Sequence, residues 1–150
     1  MKGFKFGLER LLWLREQFER MDARALNDAK RQESESREAL DRAQARLGEC
    51  GTQISQAAGE TPNAGTLHVL GMTLQRAARD MEAAADSHRE SLEGVESAEE
   101  KFRTSRSERR SIEKLKEHRA AEWNQEASRI EQREMDGLGH RRREAEDDPR

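Results

Sequence analysis

From Leu67 onward the positions Leu67, Leu70, Leu74, Ala77, Met81, Ala84, His88, Ser91, Val95, Ala98, Phe102, Ser105 and then Ile112 hold one heptad register. A narrow seam repeated at alternating steps of three and four residues is buried only when a second helix lies along it. The pattern therefore sets two packed helices against the rival reading of so polar a chain, which is disorder. Composition agrees. Of 150 residues only 33% are hydrophobic and 39% are charged, with 4% aromatic and no Tyr. That is too little apolar matter for a globular core and suits solvent-washed helices with a thin buried stripe.

Proline supplies the topology, because it interrupts helices and occurs only at Pro62 and Pro149. Around Pro62 the run Gly59-Glu60-Thr61-Pro62-Asn63-Ala64-Gly65-Thr66 concentrates turn formers, with Thr61 or Thr66 placed to cap the following helix. The reading is an all-α chain: a single long antiparallel two-helix coiled-coil hairpin with unequal arms. Helix 1 covers about 6–58, the turn about 59–65 and helix 2 about 66–137, where Gly137 and Gly139 supply a stop and 138–150 fray. At about 1.5 Å per residue the arms are on the order of 80 and 100 Å long.

In the first arm Leu11, Leu14, Phe18, Met21 and Ala25 take the seam spacing, and the seam resumes one residue out of phase as Leu40, Ala43, Leu47, Cys50, Ile54 and Ala57. The offset predicts a straight or slightly right-handed middle section, because Phe18 to Leu40 spans two 11-residue repeats. Folding about residue 62 sets Ile54 opposite Leu70, Leu47 near Ala77, Leu40 near Ala84, Leu26 near Ala98 and Phe18 near Arg106. Off the seam, Glu16–Arg20, Glu33–Arg37, Glu38–Arg42 and Glu99–Arg103 are i,i+4 pairs in the favourable order. After Ile112 the stripe is ragged through Leu115, Trp123, Ala127 and Ile130. Residues past Trp123 extend beyond the reach of helix 1 as an amphipathic overhang.

The residues carry no signature of catalysis, cofactor binding or metal binding. His68, His88, His118 and His140 lack a second His or Cys at helical ligand spacing, and Cys50 is alone. There is no phosphate loop and no nucleophile elbow. Arg103, Arg106, Arg109, Arg110, Lys114, Lys116 and Arg119 form a basic stretch, but Glu108, Glu113 and Glu117 interrupt it and no aromatic platform accompanies it. With 28 basic and 31 acidic residues and a net charge of −3, nucleic acid is not expected as a partner. No segment reads as a signal peptide or a membrane span, so the expectation is a cytoplasmic protein without direct membrane insertion. Trp13 falls outside the Leu11/Leu14 seam, and with Leu8 and Leu12 it widens the apolar face. It either lies against the second helix near Ile112 or meets another protein. Trp123 stands at a seam position where helix 1 runs out, which also suits a partner.

Two segments resemble FliJ, the coiled-coil component of the flagellar type III export apparatus. One is Phe4-x-Phe6-x-Leu8-x-x-Leu11-Leu12, running into Leu14-Arg15-Glu16. The other is Glu113-Lys114-Leu115-Lys116-Glu117-x-Arg119-x-x-Glu122, followed by Glu126, Arg129, Glu131-Gln132 and Asp136. The resemblance implies a non-enzymatic stalk that engages the ring of the hexameric export ATPase, with the FliH-type regulator, the export gate protein FlhA and export chaperones as further partners. It also implies a location at the cytoplasmic face of the inner membrane. On that analogy Leu8, Leu12, Trp13, Arg110, Arg119 and Trp123 face the ATPase, while Leu70, Leu74 and Met81 face the gate. The alternatives are a generic coiled-coil scaffold or chaperone, and the equivalent stalk protein of a virulence-type secretion system.

Overall fold

The computed structural model describes residues 3–59, 61 and 63–146, the last ten by backbone alone. Among the described residues two helices make up the fold, α1 (Glu9–Gly59) and α2 (Ala64–Glu146). Both are rich in Ala, Glu, Arg and Leu, which lose little side-chain freedom in a helix, and neither contains proline. Residues 3–8, before α1, are not helical; the Glu9 amide donates to Phe6 O at 3.3 Å and that of Leu12 to Leu8 O at 2.9 Å. Of the turn expected at 59–65, Glu60 and Pro62 lie outside the described residues.

Asn63 caps α2. Its Oδ1 accepts from the Thr66 amide at 2.8 Å and from the Thr66 hydroxyl at 3.0 Å, satisfying a donor left over in the first turn. The cap is thus neither Thr61 nor Thr66, the two residues named from sequence. At the other end α2 continues through Gly137 and Gly139 to Glu146, past the stop placed at 137. Glycine costs a helix about 1 kcal/mol without blocking its hydrogen bonds, and the helix formers of 141–146 follow directly.

The chain divides into two compact units, Met1–Phe18 with Arg106–Arg150 and Glu19–Ser105. In the second unit, α1 and α2 run antiparallel. Asp22 accepts from the Ser105 hydroxyl, Lys30 pairs with Glu99 at 3.6 Å, and Ser36 Oγ lies 3.2 Å from His88 Nδ1, so partners descend on α2 as they climb on α1. The midpoint of 36 and 88 is residue 62, the fold point read from sequence. Ala43 is 1% exposed and Ala77 8%, and Leu26, Leu40, Leu47, Ile54, Leu70, Leu74 and Met81 are half-buried. The i,i+4 pairs Glu38–Arg42 and Glu99–Arg103 form at 3.5 Å each.

The α1 seam differs from the expected one. In this unit a stripe withdrawn from solvent runs through Asp22, Leu26, Ala29, Glu33, Ser36, Leu40, Ala43, Leu47, Cys50, Ile54 and Ala57, with Glu19, Ala23, Ala39 and Gly51 also half-buried, while Met21 and Ala25 are exposed. The stripe is one heptad register without the 11-residue drift. A one-residue change of phase turns a helix face by about 100°, so two phases cannot both meet α2. The phase that continues the Leu40–Ala57 stripe wins because α2 answers its polar members, Ser105 for Asp22 and His88 for Ser36.

Candidate protein interface

In the unit built from both ends of the chain, the same change of phase governs the surface. Leu12, placed off the seam by sequence, is 7% exposed and forms the interior; Leu11, Leu14 and Phe18, placed on it, are 36%, 40% and 41% exposed. Next to Leu12 on the buried side, Arg15 Nη1 donates to Glu108 at 2.5 Å, while Arg15 Nε is buried without a hydrogen-bond partner. Glu9 holds Lys116 at 2.8 Å. These pairs fix the antiparallel alignment, since Glu9 and Arg15 ascend on α1 as Lys116 and Glu108 descend on α2. Being more than a third exposed on at least one side, each contributes little net stability.

The non-helical lead covers part of α2. Phe4 meets Trp123 with ring centroids 6.4 Å apart and planes tilted by 53°, a favourable aromatic geometry. Trp123 is accordingly half-buried, and the length of α2 left bare begins farther along than sequence placed it, with residues 128–136 all exposed. Phe4, Phe6, Leu8, Leu115, Arg119 and Trp123 line one open hollow, which unites three of the candidate contact residues. Leu12 and Trp13 border a second, shallower one with Glu9, Arg10 and Glu16.

Trp13 is 61% exposed, so it does not lie flat against α2, the first of the two readings left open from sequence. Arg110 and Arg119 are exposed as well, whereas Leu12 is occupied in the interior. In the other unit Leu70, Leu74 and Met81 are half-buried on the seam. The residues open there are Leu67 at 48%, Val69 at 63% and Met72 at 60%, and Val69 and Met72 line a hollow with Arg76 and Arg79. The off-seam phase of Val69 and Met72 was the signal that could have found them, whereas Leu67 was placed on the seam.

None of these surfaces is an enclosed pocket with convergent polar groups, the arrangement that chemistry on a small molecule needs. Among the described residues no group of His, Cys, Asp and Glu is placed to hold a metal ion. Among them also, no helix is long and apolar enough to cross a membrane. What the surfaces offer is apolar area edged by charge, suited to binding protein.

Comparison with protein families matches residues 4–144 to the family described as Flagellar FliJ protein. Comparisons with curated proteins and with solved structures returned no match.

Proposed function

The chain belongs to the flagellar FliJ family and is an export-related flagellar protein, and we propose that it acts without catalysis as the stalk of the export machine. Its terminal unit engages the ring of the hexameric export ATPase, and the unit containing Leu70, Leu74 and Met81 engages the export gate protein FlhA. The FliH-type regulator and export chaperones are further partners, met at the cytoplasmic face of the inner membrane. Phosphate chemistry falls to the ring.

One observation carries this reading. Among the described residues of the terminal unit Leu12 alone is a buried apolar side chain, while Trp13 and three large apolar residues of α1 stand open to solvent. Exposed aromatic and aliphatic side chains bordered by charge are the usual anchors of a protein interface.

Purified chain added to the export ATPase should co-elute with it and raise its turnover or its assembly into hexamers. Trp13→Ala should weaken that effect by at least about tenfold while leaving helicity intact, as expected of an exposed anchor. An ATPase indifferent to the wild-type chain in binding, turnover and assembly would dispose of the stalk reading.

A further inference from the structure

Leu11, Leu14 and Phe18 lie at seam spacing on α1, and the side that α2 covers is the neighbouring phase through Leu12 and Arg15. A helix with two adjacent heptad stripes packs against two neighbours, one on each stripe. The second stripe is open along the described surface of the terminal unit. We infer that it is the seat of a third helix, an acidic amphipathic α-helix contributed by a partner protein.

Helical geometry shows which charges border that seat. At 100° per residue the positions just outside the stripe on α1 are Arg10, Trp13 and Gln17. In an antiparallel pair the residues one position before the seam of each helix share a side. Leu115, one before half-buried Lys116, therefore faces the same way as Leu11 and is 39% exposed. The outer border on α2 then passes through Arg110, Lys114 and Glu117, all exposed. Of the carboxylates nearer the seat, Glu108 is paired with Arg15 at 2.5 Å, and Glu122 lies 3.3 Å from His118 Nδ1. An incoming helix thus meets leucine and phenylalanine in the middle and, along the borders, the three cations Arg10, Arg110 and Lys114 against the one carboxylate of Glu117. Glutamates flanking its apolar stripe complement them.

The same borders disfavour a second copy of this chain as occupant. Pairing α1 with α1 through this stripe brings Arg10 against another arginine-bearing border, and like charges across a helix interface oppose association. The inference concerns only the chemistry of the bound helix and stands whether or not the ATPase is the partner.

The test titrates the full-length chain into a fluorescently labelled synthetic peptide of four heptads, with Leu at the seam and Glu at the flanking positions. A matched peptide carries Lys in place of Glu. The Glu peptide should bind at least about tenfold more tightly, with affinity falling as salt rises. Phe18→Ser should weaken binding by about tenfold or more, and the pair Arg110→Glu with Lys114→Glu should reverse the preference toward the Lys peptide. Because all three side chains are exposed, circular dichroism should match wild type, separating a lost seat from a lost fold. Equal affinity for the two peptides, or binding unchanged by Phe18→Ser, overturns the proposal. So does a homodimer in sedimentation equilibrium that Phe18→Ser dissolves.

Discussion

Arg15 shows how polar residues come to occupy a coiled-coil seam. Its guanidinium reaches Glu108 while Nε stays buried and unpaired, a state that costs about 1–3 kcal/mol for a polar group. Replacing the side chain removes that cost and adds apolar contact beside Leu12, and Glu108, its side chain 43% exposed, returns to water. Arg15→Leu should therefore stabilise the chain by roughly 1 kcal/mol. Glu108→Gln should destabilise it by leaving the cation without its counter-charge. Thermal unfolding followed by circular dichroism compares the three proteins, and a lower Tm for Arg15→Leu would mean that the ion pair outweighs its burial cost. Sequence gave no hint of this residue's place, because its partner lies 93 positions away and local periodicity reads residue type alone.

Between the two helices, legibility differed for a physical reason. On α2 apolar and small residues, His88 and Arg109 apart, occupy one phase from Leu70 to Ile112, so the stripe richest in them is the buried one. On α1 Leu11, Leu14, Phe18 and Met21 occupy a phase that α2 never covers, while Asp22, Glu33 and Ser36 hold the covered one. Hydrophobicity marks every face that is to be buried, by this chain or by another, and cannot say which. The candidate interface was legible to the same degree. Trp13 stood out as off-seam, but Leu12 and Leu11 exchanged roles with the phase. The interior glycines carry a separate prediction, since Gly94 is exposed within α2 and a Cβ there meets nothing within 4 Å. No described glycine has a positive φ, so alanine fits the backbone as it stands. Gly94→Ala should raise stability by about 0.5–1 kcal/mol through helix propensity alone. A neutral or destabilising result in urea unfolding would point to a contact at that face.

Among the described residues the buried apolar side chains are few, Leu12 in one unit and Ala43 and Ala77 in the other, so protection from solvent is uneven along helices that look uniform. Local opening follows the density of buried contacts, not the presence of helical hydrogen bonds. Amide hydrogen exchange should accordingly be slowest around Ala43 and Ala77, where neighbouring Leu40, Leu47, Leu74 and Met81 are also withdrawn from water. It should be faster around Glu33, Ser36 and His88, where the seam is polar and Glu33 stands 4.0 Å from the His88 ring. It should be fastest over residues 128–136, every one of them exposed on a helix without the packing that sustains long helices in water. Addition of a partner should slow exchange where its surface lands, and the apolar stripe of Leu11, Leu14 and Phe18 is the place to look. Slow exchange at 128–136 in the isolated chain would contradict this ranking, because a bare helix stretch can be protected only by something packed against it.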